Sequence, residues 1–326
     1  ATTAGASTSA ASSPTSEPAQ DGLEILFLGG TGFIGPHQIE HALERGHKVT
    51  MFNRGRKAGL YGDRVEELIG DRDPEKDAGL SALGRERTWD VVVDNSGYVP
   101  RHVRASAELL AKRVERYLFT STVAVYDYEK QSVVDNTGPL LPAPSPDTEQ
   151  VTGKTYGPLK AECDRIVQQI YGERATVVRP CYIVGPGDTT DRFTYWVERL
   201  HRGGDVLCPA GPDTEVQWID ARDLCHWIVR LAEDGTPGAF NGVGPASAMT
   251  NQQLMWALRA FTAAPTRLHW PTHDLLDELR HPSPMFDWSR DSRHTDASAA
   301  VAAGLTYRSL AETVRDTHAW WLAQSD

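Results

Sequence analysis

The chain is poor in cysteine. Its 326 residues include four, Cys163, Cys181, Cys208 and Cys225, widely spaced and without a Cys-x-x-Cys pair. That excludes a disulfide-stapled fold and leaves no thiolate set for zinc, so no metal is expected. Long apolar runs are missing too, and no stretch is fit to span a bilayer. Basic charge is in deficit: 33 Lys and Arg stand against 44 Asp and Glu, a formal net charge of −11. Tight binding to a phosphate backbone needs clustered cations, so neither nucleic acid nor membrane is expected as a partner. A local basic pocket for a small anion stays compatible with this balance. No internal repeat is visible. Residues 1–20 contain almost no large apolar side chain, being mainly Ala, Thr, Ser, Gly and Pro. Such a segment cannot bury enough surface to order itself, and a disordered arm is expected. The arm fits the remainder of a removed export leader as well as a cytoplasmic protein, so the sequence assigns no compartment beyond a soluble one.

What is present is organised around Glu24-Ile25-Leu26-Phe27-Leu28-Gly29-Gly30-Thr31-Gly32-Phe33-Ile34-Gly35. An apolar run ends in three glycines spaced three apart, and an amphipathic segment follows to about Arg45. The pattern reads as a buried strand, a tight turn and a helix. Gly29 can take backbone angles that other residues resist. Gly32 lets the main chain approach a ligand, and Gly35 lets the helix pack on the sheet. The unsatisfied N–H groups at the helix start, with the positive end of the dipole behind them, suit a dinucleotide pyrophosphate.

Further strands are expected at Lys48–Asn53, Val65–Ile69, Asp90–Asp94, Arg116–Ser121 and Ala175–Arg179, with helices near 102–113 and from Pro158 to Tyr171. Strands alternating with helices imply an α/β fold with a parallel, doubly wound sheet. Residues 135–150, rich in Pro, Asp and Thr, read as a surface loop. After Pro180, glycine and proline interrupt more often. Helices are expected near 191–202, 221–233, 250–263, 271–280 and 309–323. The expected division is therefore a dinucleotide-binding domain over 21–180. A smaller, partly discontinuous substrate lobe covers 181–326, with some segments returning to the first domain.

Tyr156 and Lys160 are four apart at a predicted helix start, which puts both on one face. An ammonium close to a phenol lowers the phenol pKa, and a tuned Tyr can exchange a proton with a substrate oxygen. By spacing alone, such a pair is usually a solvated helix face. Thr120, Ser121 and Thr122 end a strand, where ligands of open α/β sheets bind; capping of the strand end is the simpler reading of hydroxyls taken alone.

Four features occur in a fixed order: the glycine triplet, the hydroxyl cluster followed by Val125-Tyr126, Tyr156-Gly157-Pro158-Leu159-Lys160, and Arg179-Pro180 through Gly185-Pro186-Gly187-Asp188. From Leu23 to the C-terminus the chain resembles the extended short-chain dehydrogenase/reductase family, the NAD(P)-dependent sugar epimerases and dehydratases with a Rossmann-type domain. The resemblance implies that Tyr156 is the general acid/base. Lys160 would bind the nicotinamide ribose and depress the Tyr156 pKa. Thr122, or failing it Ser121, would hydrogen-bond the reacting oxygen. Gly29, Gly32, Phe33, Ile34 and Gly35 would meet the pyrophosphate, Asp71 the adenine, and Ser96 and Gly97 the ribose side of the cofactor. Hydride would pass between a substrate carbon and the nicotinamide.

Two departures from the family pattern bear on substrate. Tyr182 stands where the nucleotide-sugar epimerases usually have Asn, which puts a nucleotide sugar in doubt. Val123 and Ala124 follow Thr122 where the dehydratases have an acidic pair, so elimination of water lacks its usual acid and base. Aromatic and polar candidates for a sugar-like substrate are Tyr182, Phe193, Tyr195, Trp196, Gln217, Trp218 and Trp288, though core packing explains most such residues more cheaply. Arg222, beside Asp220 and Asp223, is a candidate for an anionic group. His37 and His41, four apart, lack a third metal ligand. The expected activity is NAD(P)-dependent oxidation–reduction or epimerisation of a small, sugar-like molecule, and a homodimer is compatible with the sequence. The alternative is a non-catalytic nucleotide-sensing or RNA-binding protein on the same fold, as in chloroplast relatives of the family.

Cofactor choice turns on Asn53. NAD-preferring proteins of this kind place an acid at the end of the second strand; here the residue is neutral and Arg54-Gly55-Arg56-Lys57 follows. A guanidinium can hold a phosphate through two parallel bonds, so NADP is expected, with NAD the second choice, and Arg54 ahead of Arg56 as the phosphate ligand. Calorimetric titration is expected to show tighter NADP than NAD binding, with the difference eroded in Arg54→Ala. Equal affinities, or tighter NAD, would reject this.

Overall fold

The structure, a computed structural model, describes residues 22–84, 86–209, 211–278 and 293–324. The expected arm over 1–20 and Trp288 lie outside these residues. In chain order the first half comprises β1 (Glu24–Leu28), α1 (Ile34–Glu44), β2 (Lys48–Asn53), β3 (Val65–Ile69), β4 (Trp89–Asp94), α2 (Pro100–Leu110), β5 (Val114–Thr120), β6 (Val133–Val134), α3 (Tyr156–Tyr171) and β7 (Ala175–Pro180). Then follow β8 (Tyr182–Val184), α4 (Thr194–Arg202), β9 (Gly204–Leu207), β10 (Glu215–Val216), β11 (Trp218–Asp220), α5 (Ala221–Asp234) and β12 (Gly238–Gly242). The chain ends with β13 (Met249–Thr250), α6 (Asn251–Ala260), β14 (Thr266–His269), α7 (His273–Glu278), β15 (His294–Thr295), α8 (Ser298–Ala302) and α9 (Leu310–Ala323).

Seven strands form one parallel sheet in the order β12-β7-β5-β4-β1-β2-β3. This is the doubly wound arrangement that the alternating pattern implied. The alternation of side chains along β1 explains the two faces. Ile25 and Phe27 join Ile39 and Ala42 of α1 and Leu224, Trp227 and Ile228 of α5 in one apolar cluster. Leu26 and Leu28 join Val103 and Ala107 of α2 and Ile166 and Val167 of α3 in the other. A third cluster gathers Phe193, the N-cap of α4, with Trp196 and Leu200 from α4, Leu254 and Leu258 from α6, and Val314 from α9. Reciprocal caps start two of the later helices: Thr250 with Gln253 for α6, and Ser309 with Glu312 for α9.

Most predicted elements are present, with ends moved by a few residues. The helix expected from Pro158 begins at Tyr156, which leaves Pro158 in the first turn, where its missing N–H costs nothing. The strand β12 was not anticipated. Its sequence, Gly-Ala-Phe-Asn-Gly, has poor strand propensity. Pairing beside β7, with Phe240 opposite Val178, supplies what propensity does not.

The glycine turn can be tested at two positions. A Cβ on Gly35 would stand 2.4 Å from the Gly30 carbonyl, whereas one on Gly32 would meet nothing within 4 Å. Gly35→Ala is expected to lose about 1–3 kcal/mol in urea unfolding, the usual range for overpacking. Gly32→Ala should stay within about 0.5 kcal/mol of the parent. Equal losses at both positions would contradict this packing.

Candidate functional site

A cleft of about 1130 Å³ opens at the carboxyl edge of the sheet. It lies over the junction of β1 and β4, where the strand order reverses, the usual ligand position in such sheets. The glycine turn forms one wall. Gly29 has φ +83°, and a Cβ there would come 2.9 Å from that of Ser96. Phe33, the N-cap of α1, makes no side-chain cap bond, and Gly32, Phe33, Ile34 and Gly35 all stand at the cleft, so the helix start faces the space a ligand would fill. These features fit a pyrophosphate.

Past the turn, Asn53 is held by its own loop: its Oδ1 accepts the Gly55 N–H at 2.5 Å and its Nδ2 donates to Glu67 at 2.7 Å. Arg54 and Arg56 line the cleft, exposed, and make no ion pair among the described residues. Lys57 donates to the Thr31 carbonyl and ties this loop to the glycine turn. Asp71 also lines the cleft, its Oδ1 accepting the Asp73 N–H at 2.9 Å. Its neighbour Arg72, which sequence reasoning passed over, reaches inward. Arg72 pairs with both oxygens of buried Asp94 at 2.5 and 2.9 Å and donates to Ser96 and Ser106. Burial opposes both charges, but each holds the other ionised: Asp94 lies below the usual carboxylate range and Arg72 above its own. Ser96 donates to the Leu28 carbonyl and takes its place in the cleft wall. Gly97 lies behind that wall and contributes its carbonyl to Lys160.

At the other end stand Thr122, Tyr156 and Lys160. The Lys160 ammonium, 3% exposed, donates to the carbonyls of Gly97 and Thr120, both at 2.7 Å. It lies 4.1 Å from the Phe119 ring centre and 5.2 Å from that of Tyr98. Burial pulls its pKa down to about 8. The Tyr156 phenol is pushed upward by burial, with the Thr122 hydroxyl opposing the shift. This differs from the expectation that Lys160 depresses it. In this state the ammonium is turned to two backbone carbonyls and is not among the groups that shift Tyr156. Ser121 lines the cleft and donates to buried Asp164, which also pairs with Arg179.

The substrate-side expectations divide. Tyr182 and Gln217 line the cleft, and the Gln217 amide is fixed by both its ends to the Thr295 backbone. Phe193 and Trp196 do not: at 0% and 2% exposure they belong to the third apolar cluster. Arg222 does not either, because Asp220 takes it at 2.8 and 3.0 Å and Asp316 at 2.5 Å. His37 donates its Nε2–H to the Pro186 carbonyl and His41 stacks on His226, so the two do not converge. Sequence reasoning missed Tyr98, Asp188, Arg192 and Arg293, which line the cleft from distant segments.

The Lys160 shift has a measurable consequence. Between about pH 8 and its unfolded value of 10.5, the folded protein binds fewer protons at this site than the unfolded chain. Stability must therefore rise with pH across that window, the cost of the buried charge being fully present below it. The stability of the parent minus that of Lys160→Met, from urea unfolding, is expected to climb from pH 8 upward. A flat difference would mean an ordinary lysine.

The NAD dependent epimerase/dehydratase family matches residues 25–242. The chloroplast stem-loop binding protein of 41 kDa b of Arabidopsis thaliana is 28% identical over 199 residues, 57% of this chain and 49% of that one. The match thus spans about half of that relative's length. The dTDP-4-dehydro-6-deoxy-D-allose reductase of Streptomyces bikiniensis is 24% identical over 308 residues, 84% of this chain and 91% of that one. UDP-glucose 4-epimerase of Thermotoga maritima, solved with UDP-glucose, superposes with a TM-score of 0.69 at 18% identity, over 93% of this chain and 100% of its own. The Bordetella bronchiseptica enzyme WbmG, solved with NAD, gives 0.68 at 18% identity, over 94% and 96%. At such identity the two structures show a common fold. The family match runs from the first strand of the sheet through the last, and the chain belongs to the NAD dependent epimerase/dehydratase family.

Proposed function

We propose that the protein is an NAD(P)-dependent oxidoreductase or epimerase acting on a hydroxyl or carbonyl of a small, sugar-like substrate. The observation that carries this is the gathering of Thr122, Tyr156 and buried Lys160 in one cleft that begins at a helix start without a side-chain cap. The pyrophosphate would rest on Gly32, Phe33 and Ile34, the adenosine end near Asp71, and the nicotinamide ribose near Lys160. When bound, the cofactor supplies a hydride acceptor or donor. Tyr156 gives or takes the proton of the reacting oxygen, and Thr122 holds that oxygen in line by a second hydrogen bond. Burial of the phenol keeps it protonated in the resting protein. A ligand that draws the Lys160 ammonium away from its carbonyls would bring a positive charge toward Tyr156 and favour the phenolate.

Relatives that act on sugar nucleotides support a sugar-like substrate, while Tyr182 argues for a substrate held differently from theirs. Arg192, over the Tyr182 ring at 5.7 Å, is a cation facing that end of the cleft. NADP is proposed over NAD because Asn53 has no carboxylate to offer a ribose, and Arg54 and Arg56, at the same end, make no ion pair among the described residues. Retention of Tyr156 and Lys160 favours an enzyme over the RNA-binding reading that the chloroplast relative brings to mind. Dinucleotide binding without turnover on any alcohol or carbonyl would favour the latter.

Tyr156→Phe is expected to lower turnover about 10²–10⁴-fold while leaving dinucleotide affinity, by calorimetry, within about threefold of the parent. Near-normal activity in this variant would sink the assignment.

A further inference from the structure

Asp188 is the last residue of Gly185-Pro186-Gly187-Asp188, a turn that follows β8. It belongs to the cleft wall, yet it is only 1% exposed. One carboxylate oxygen is used: Oδ1 accepts the Thr190 N–H at 2.9 Å and the Thr190 hydroxyl at 2.6 Å. The other, Oδ2, is buried with no hydrogen-bond partner. A buried acceptor left unpaired is costly, and more so when it belongs to an ionisable group. An orphan of this kind in the wall of a binding cleft points to a donor that arrives with the ligand.

Position narrows the donor. The turn stands against the first turn of α1: a Cβ on Gly187 would lie 3.4 Å from the Phe33 ring, and His37 hydrogen-bonds the Pro186 carbonyl at 2.8 Å. A dinucleotide whose pyrophosphate rests on Gly32–Ile34 must pass this turn to bring its nicotinamide to Tyr156. The ribose hydroxyls of that half fall to Lys160, on α3, which packs on the sheet face opposite to α1. The donor left to face Asp188 is the carboxamide of the nicotinamide ring.

We propose that Asp188 is a cofactor-binding residue whose Oδ2 accepts an N–H of the nicotinamide carboxamide. This rests on the dinucleotide reading of the cleft. Its effect is to fix which way the ring faces, and so which of its two sides meets the substrate.

Calorimetry on the full chain separates this inference from the reading beneath it. Parent and Asp188→Asn are titrated with NADP and with 2′-phospho-ADP-ribose, which lacks only the nicotinamide. The Asn side chain can keep the Oδ1 bonds to Thr190 but puts a donor where Oδ2 was. Expected is a fall in NADP affinity on the order of tenfold to hundredfold, the loss of a hydrogen bond to a charged group, with 2′-phospho-ADP-ribose binding unchanged. Unchanged NADP affinity, or an equal fall for both ligands, overturns the role of Asp188 alone. A parent protein that binds neither ligand, nor NAD, overturns the dinucleotide reading as well. Should Asp188→Asn not fold, the parent decides. The 3-acetylpyridine analogue of NADP carries a methyl ketone in place of the amide, so weaker binding of it supports the proposal and equal binding overturns it.

Discussion

The candidate site depends on one buried ammonium. Lys160 enters from α3 and joins the carbonyl of Gly97, just past β4, to that of Thr120, at the end of β5. Three elements distant in sequence are thereby pinned at the edge of the sheet where the cleft opens. Burying a cation is unfavourable unless it is solvated by the protein. Two carbonyls and the faces of Phe119 and Tyr98 replace water here, and the depressed pKa shows that the replacement is incomplete. A lysine kept in that condition is easily drawn to new acceptors, so the fold holds at the edge of the cleft a charge that is cheap to redirect.

The Arg72–Asp94 pair braces the same edge. It joins the segment after β3 to the end of β4, and Tyr117 completes the network by donating to Asp94 at 2.7 Å. Buried ion pairs contribute little net stability against an apolar alternative, but removing one partner is costly. What this pair contributes is position: Asp94 also accepts the Ser96 N–H at 3.0 Å and so sets the path of the Ser96–Gly97 segment to which Lys160 bonds. The two buried cations thus act on one short stretch of backbone, Arg72 through Asp94 and Lys160 directly.

Much of this was legible in sequence because it is local. The spacing Gly29, Gly32, Gly35 encodes a strand–turn–helix whose steric logic is visible residue by residue, and the hydroxyls after Phe119 sit at a strand end whatever the rest of the chain does. The parts that were not legible depend on distant partners. Arg222 reads as a free cation until Asp316, on α9, is folded back against it. Phe193 and Trp196 present the same aromatic signal whether they face a ligand or a core, and only the packing of α4 against α6 and α9 decides. Arg72 looks like one more surface charge beside Asp71, since its partner lies across β4. The strand β12 has a sequence that argues for a turn, and it is a strand because β7 offers an edge.

That edge has a mechanical meaning. The chain leaves the sheet after Pro180, returns to its face at Ala221, forms β12 within it, and departs again after Gly242 toward α6. A body joined to another by one flexible connection can swing; one stitched at several points along a parallel sheet cannot, because every connection must bend together. Motion between the sheet and the cluster around α4 is therefore restricted to small sliding of packed surfaces. A cleft of this construction admits ligands by local loop displacement, and its width is set at folding rather than at each encounter.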